Sequence, residues 1–337
     1  MKTVFFGTPD IAVPFLRCLA SSHEVAFVVT RPDRPAGRGL FLSSCAVKRE
    51  ALALGLEVLQ PPDPCEIAPQ IRAADADVCV VVAYGKILRK DVLEIPRFGF
   101  LNMHFSLLPR YRGAAPVPWA IINGENETGV TAFWLDEGLD TGPVALQKTE
   151  KILPVDDAVS LLERLGRLGV EVLREALEEA ASGRAVRRPQ EGEACKAPCL
   201  SVSDSWLDFN QSVGRVHDKV RGLACGPRAR VICKTGGKET EVQVLRTSLP
   251  ERTEPSVSKA HVPPDAFSGR GDSTALLPGT IVRVEREKGF FVQCLFGFLL
   301  VEEVQPEGKK RLKAWDFLNG FRLKPGDMFS VRKQSMR

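Results

Sequence analysis

Asp77-Val78-Cys79-Val80-Val81-Val82-Ala83 places six apolar residues in an unbroken run, four of them valine. β-Branched residues suit a pleated strand, and the absence of polar alternation means that neither face meets water. Such a strand belongs inside a parallel sheet covered on both sides. Working outward, Thr3–Phe6 and Val25–Thr30 repeat this texture. Asp10–Ala20 between them carries Ile11, Phe15 and Leu19 at helical spacing, and Ser44–Leu54 reads as a second helix. Thr128–Trp134 adds a strand, and Val155–Ser182 a long amphipathic helix with Leu161, Leu162, Leu165, Leu168, Val172 and Leu177 near one face. Strands alternating with helices predict an α/β, Rossmann-like and mostly parallel sheet.

After Gly183 the pattern changes. Arg184–Ser203 is polar, holds Pro189 and Pro198, and has no periodicity, which predicts an interdomain linker. Trp206–Leu223 reads as a helix. Short alternating strands follow at Arg230–Lys234, Glu241–Arg246, Gly279–Val284, Gly289–Cys294 and Phe298–Val304, interrupted by a Pro/Ser/Gly-rich excursion at Pro250–Pro278. Several short strands in about a hundred residues predict a small OB-like barrel. The expected plan is a catalytic domain over 1–188, a linker over 189–203 and a C-terminal domain over 204–331.

The chain has 337 residues, 44% of them apolar and 26% charged, which excludes wholesale disorder. No apolar stretch nears the ~20 residues of a membrane helix. Met1 leads straight into the first strand, and nine scattered cysteines lack Cys-x-x-Cys pairs or a histidine cluster; a cytoplasmic protein without a metal site is expected. The net charge of +4 permits a nucleic-acid partner without demanding one.

Gly7-Thr8-Pro9-Asp10 at the first strand–helix turn is not a dinucleotide fingerprint, and no P-loop is present. Phe98–Phe105 is more informative. Side chains alternate along it, so Phe98, Phe100, Asn102 and His104 share a face that begins apolar and ends in an amide and an imidazole. Ligands of parallel sheets bind beyond the carboxyl ends of the strands. The same pair also reads as satisfying backbone groups of the next loop. Glu137-Gly138-Leu139-Asp140-Thr141-Gly142 then offers an acid held between glycines, while His23, His217 and His261 fall in a turn, a later helix and the excursion. An Asp beside His104 orients the imidazole and favours its charged form. Asn102, His104 and Asp140 thus form a candidate acid–base and oxyanion set.

Asn102-Met103-His104-Phe105-Ser106-Leu107-Leu108-Pro109, then Arg110–Pro116, and Gly138-Leu139-Asp140-Thr141-Gly142 closely resemble the two motifs of the folate-dependent formyltransferases. Val4–Asp10, Arg31–Gly39, Pro278–Ile281 and Gln305–Lys310 extend the likeness over nearly the whole chain, toward members that act on methionyl initiator tRNA. Amino-sugar-nucleotide and glycinamide ribonucleotide formyltransferases share the two motifs, so these alone leave the acceptor open. The resemblance implies 10-formyltetrahydrofolate as co-substrate, no metal, and a monomer. It implies that Asn102 and protonated His104 bind the oxyanion while Asp140 orients His104 and assists proton removal. It also implies a folate pocket bordered by Ser106, Leu107, Leu108 and Pro109, with Tyr84 in a further wall.

For the initiator methionyl-tRNA, the resemblance assigns contact to the proline-stiffened loop Arg31–Gly39 through Arg38 and Arg34. Phe41 stands in a stretch where lysines are frequent in the family, which gives it a stacking share. Arg215, Lys219, Arg221, Arg228, Arg230, Lys234 and Lys238 lie in one stretch with a single acid, Asp218, and Lys309-Lys310-Arg311 with Lys313 form a second cluster. A phosphate-binding face on the C-terminal domain is expected, acting through charge and weakened by salt.

Overall fold

The computed structural model describes residues 1–36, 41–235, 237–250 and 276–331, with the backbone alone at Ala36, Phe41 and Leu42. Arg38, His261, the Phe41 side chain and residues 251–275 of the expected excursion lie outside the described residues. The chain divides into two compact units, Met1–Ala120 with Glu125–Cys199, and Ile121–Gly124 with the chain from Leu200 onward.

The elements up to the long helix are β1 (Lys2–Gly7), α1 (Val13–Ser22), β2 (Glu24–Val29), β3 (Arg34–Ala36), β4 (Phe41–Ser43), α2 (Ala46–Ala53), β5 (Val58–Leu59), α3 (Ala68–Ala74), β6 (Val78–Val82), α4 (Lys90–Leu93), β7 (Phe100–His104), α5 (Pro116–Ile122), β8 (Glu127–Trp134), β9 (Val144–Lys151) and α6 (Ala158–Ala181). Their sheet has the order β5-β2-β1-β6-β7-β8-β9. The first five strands in that order are parallel, and β8 and β9 are antiparallel additions. From β1 the chain first builds β2 and β5 on one side, then crosses to β6 and β7 on the other. Gly7 pairs with Val82, and Val81 with Asn102, so β1, β6 and β7 end at a common edge beside this switch. That edge is where an open parallel sheet has its crevice.

Val4, Phe5 and Phe6 in succession, like Val78, Cys79 and Val80, are fully buried, as both-face coverage requires. One face packs Phe6, Phe27, Val29, Ile71, Val81, Tyr84 and Phe100 into a continuous core. Helix α6 starts at Ala158, three residues later than periodicity predicts, because the Asp157 carboxylate accepts the Val159 and Ser160 N–H groups at 2.9 Å and the Ser160 hydroxyl accepts the Asp157 N–H.

Residues 184–199, expected to belong to a linker, lie within the first unit. Val144 and Arg188 exchange hydrogen bonds of 2.7 and 2.9 Å, and Arg112 bonds to Cys195 and Ala197 through its own backbone. Polar side chains and lack of periodicity hide this, since the strap is held mainly through main-chain groups.

The second unit contains α7 (Val213–Gly222), β10 (Arg230–Thr235), β11 (Lys238–Ser248), β12 (Ile281–Glu285), β13 (Gly289–Gln293), β14 (Phe298–Pro306), β15 (Leu312–Lys313), α8 (Ala314–Phe321) and β16 (Phe329–Ser330). Strand order is β12-β13-β14-β11-β10-β16, and a Thr280–Met328 bridge joins the two ends, so the sheet closes on itself. Inside lie Val231, Val242, Val244, Ile281, Phe290, Val292, Leu299, Val301, Phe317 and Phe329. Helix α7 is shorter than the sequence suggests. The Asp208 carboxylate accepts the Asn210 N–H at 2.9 Å in a turn, and Ser212 then caps the helix.

Candidate active site

Strand β7 carries Asn102 and His104 to the sheet's carboxyl edge, on the face that begins at Phe100. His104 is 6% exposed, and its ring meets Phe133 edge-on at 6.3 Å. Its Nε2 lies 2.9 Å from the carbonyl oxygen of Tyr111. A carbonyl only accepts, so Nε2 carries the proton and the neutral ring leaves Nδ1 bare. That Nδ1 stands 3.6 Å from Oδ2 of Asp140. The two catalytic motifs, 36 residues apart in sequence, therefore do converge.

Asp140 adopts a left-handed backbone with φ of 54°, and its Oδ2 also accepts the Gly113 N–H at 2.8 Å. The turn before it is braced by Asp136, which accepts from the Gly138 N–H at 3.0 Å and the Thr141 hydroxyl at 2.7 Å. An Asp neighbour taken alone predicts a raised His104 pKa. Burial outweighs both that carboxylate and the Tyr111 carbonyl and holds the imidazole below its ordinary value. That direction favours the neutral ring, whereas the Asp140 carboxylate favours the charged one. Among the described residues, the half-buried Asn102 amide makes no hydrogen bond, so its N–H donors remain available at the edge.

Ser106, Leu107, Leu108 and Pro109 follow directly. Thr131 donates its hydroxyl to the Ser106 carbonyl at 2.6 Å, and the Thr131 hydroxyl oxygen accepts from the Leu108 N–H and the Gln147 amide. Gln147 also donates to the Leu108 carbonyl at 3.1 Å, and Ser106 Oγ donates to the Arg110 carbonyl at 2.6 Å. Thr131 is a polar residue inside an apolar strand and sits directly opposite Gln147 on β9.

A cavity of about 570 Å³ opens beside the start of β7, and none of Asn102, His104, Asp140, Ser106, Leu107, Leu108 and Pro109 lines it. Phe98, Phe100, Trp134 and Leu135 supply its apolar lining, Asp136–Gly138 lead from it toward Asp140, and Lys90, Arg97 and Arg187 give it positive charge. Tyr84 is not part of it. Its side chain is 1% exposed and packs edge-on against Phe6 at 5.4 Å, and burial pushes its hydroxyl up to about 12. An aromatic residue after an apolar strand reads alike whether it lines a pocket or fills a core. Among the described residues, no group of three or more His, Cys, Asp or Glu is placed to hold a metal.

The basic residues divide. Arg34 is exposed on the β3–β4 hairpin, while Arg31 turns inward to donate to the Tyr84 and Gly85 carbonyls at 2.8 and 3.2 Å. On the barrel Arg228 and Lys310 are exposed, and Lys309 lies 5.6 Å from the Phe321 ring centre. Arg230 pairs with Glu241, Arg221 with Asp218, Lys234 with Glu239 and Arg311 with Glu303. Strand pairing supplies most of these acids from outside the basic stretch, so less free positive charge remains than the linear sequence implies.

A buried imidazole thus lies between a carbonyl and a carboxylate, with the Asn102 amide on the same strand face. The chain belongs to the formyl transferase family: residues 1–177 match the formyl transferase model, and residues 200–322 match that of the formyl transferase C-terminal domain. Its relatives include the methionyl-tRNA formyltransferase of Elusimicrobium minutum, 41% identical over 346 residues covering 97% of this chain and 99% of the relative. That of Sorangium cellulosum is 42% identical over 329 residues, covering 97% and 98%. Among solved structures, the N-formyltransferase of Helicobacter canadensis in complex with folinic acid and dTDP-3-aminofucose matches with a TM-score of 0.63 at 17% identity, over 89% of this chain and 98% of that one. HypX of Aquifex aeolicus with tetrahydrofolic acid matches with 0.60 at 17%, over 99% and 51%. These distant structures share the fold.

Proposed function

We propose that the protein transfers the formyl group of 10-formyltetrahydrofolate to the free amino group of methionyl initiator tRNA. The observation that carries this reading is the 41–42% identity to methionyl-tRNA formyltransferases across both units, not across the catalytic motifs alone. When bound, the folate supplies a formyl carbon on nitrogen for an amine to attack.

The chain's own groups then act in sequence. Asn102 donates its amide N–H to the formyl oxygen as negative charge grows on it, a contact typically worth about 3 kcal/mol of barrier. The new carbon–nitrogen bond makes the attacking amine acidic. His104, neutral and with its Nε2 proton held on the Tyr111 carbonyl, takes that proton at Nδ1, and the Asp140 carboxylate at 3.6 Å favours the imidazolium so formed. The same proton passes to the folate nitrogen as its bond to the formyl carbon breaks. On the acceptor side, the reading assigns phosphate contact to Arg34 and Arg38 and a stacking share to Phe41. Arg228, Lys309 and Lys310 on the barrel share that contact, with Arg230 contributing beside Glu241.

The test offers 10-formyltetrahydrofolate with charged initiator tRNA, charged elongator tRNA, or an amino-sugar nucleotide. Formyl-methionyl initiator tRNA is the expected product. Formylation of the sugar nucleotide instead would transfer the reading to another branch of the family, and release of formate with no acceptor labelled would make the protein a hydrolase.

A further inference from the structure

We propose that Gln190 is a positioning residue for formyl transfer, its side-chain amide clamping together the two loops that supply the partners of His104. The proposal rests on the activity assigned above.

Gln190 lies on the strap 184–199, between the Val144–Arg188 pairing and the contacts of Cys195 and Ala197 with Arg112. Its Nε2 donates to the carbonyl oxygens of Asp140 at 2.9 Å and Gly142 at 2.8 Å. Its Oε1 accepts from Arg112 Nη2 at 2.6 Å and Nε at 3.2 Å. A carboxamide has two N–H donors and two lone pairs, and all four are used here. Neither carboxylate nor thioether of the same length reproduces that set.

Each clamped loop controls one side of the imidazole. Arg112 sits between Tyr111, whose carbonyl fixes the Nε2 proton, and Gly113, whose N–H holds Asp140 Oδ2. Asp140 itself occupies a left-handed conformation that a non-glycine residue keeps only when its surroundings over-determine it. The donations to Asp140 and Gly142 supply that constraint. The 3.6 Å approach of Oδ2 to Nδ1 therefore depends on Gln190, although Gln190 touches neither His104 nor the reacting atoms. Among the described residues Asp140 is the charged group facing His104; Tyr111 adds a carbonyl, and Phe133 a ring edge.

Gln190→Glu keeps the acceptor for Arg112 but sets a carboxylate against two carbonyl oxygens; Gln190→Met keeps the volume and removes every bond. Both are expected to lower kcat ten- to a hundredfold while changing KM for the folate less than threefold. With Asp140 released, the imidazolium loses support, so the acid limb of the kcat profile moves to lower pH. Histidine-labelled protein followed by NMR without substrate should show the same downward move of the His104 titration, a readout independent of which acceptor the enzyme uses. Should either variant fail to fold, Arg112→Met opens the clamp from its other side and is read the same way. An unshifted His104 titration overturns the proposal, as does a kcat within twofold of the parent. A lower melting temperature with both pH readouts unmoved reduces Gln190 to a structural prop.

Discussion

His104 is held between two opposed influences. Burial disfavours the charged ring, and Asp140 favours it, with burial ahead. A base of this kind loses activity as pH falls through its pKa, so the acid limb of kcat is expected below the ordinary histidine value of about 6.5. Asp140→Asn retains an oxygen for the Gly113 N–H but removes the charge. The pKa of His104 then drops further, and the acid limb should move down while kcat falls about 10²- to 10³-fold. A pH–rate profile of the variant checks both, and an upward move of the limb would contradict the assignment of His104 as base. The approach of Asp140 to His104 was legible in the sequence, because strand alternation and flanking glycines constrain where their side chains go. Gln190 was not legible, since half of its hydrogen bonds go to main-chain oxygens, which leave no residue signature. At Tyr84, too, the carbonyl and not the ring is what Arg31 grips.

The turn carrying Asp140 is seated on the end of β8 by close backbone approach. A Cβ on Gly142 would overlap the Trp134 carbonyl oxygen, and Trp134 donates its N–H to the Pro143 carbonyl at 2.9 Å. Gly142→Ala is expected to destabilise the protein by about 1–3 kcal/mol through overpacking and to displace Asp140. Urea unfolding together with transfer activity checks this, the activity falling more steeply than stability alone explains. Strands β1, β2 and β6 were readable from their unbroken apolar runs, whereas the parallel β5, only Val58–Leu59, was too short to give one. Strand β9 was not readable, because beyond Val144 and Ala145 most of its residues are partly exposed and it lacks that run. Helix α8 begins at Ala314, and Lys313 before it supplies no side-chain cap, so the usual start signal is missing.

Across the whole molecule, acid stability is expected to depend on the barrel. His217 is 8% exposed, bonds Thr247 Oγ1 through Nδ1 at 2.9 Å, and has its pKa lowered to about 4, by burial first and then by Arg221, against Asp218 and Glu302. The unfolded chain therefore binds a proton that the native one refuses between about pH 6.5 and 4. Stability from this group is full above the upper bound and declines toward the lower, by a total on the order of 3 kcal/mol. Denaturant midpoints across that range check it, and His217→Gln should flatten the slope. The division into two units was legible from the change of texture after Gly183. The final boundary at Leu200 was not, because the strap looks like spacer until its backbone partners are known. Closure of the barrel by residues 327–330, which bond both Gly279–Ile281 and β10, also has a consequence for synthesis. While the protein is being translated, β12 and β10 stay open to pairing with foreign chains until Ser330 has cleared the ribosome. A premature stop before Met328 would make that temporary exposure permanent and mark the product for aggregation.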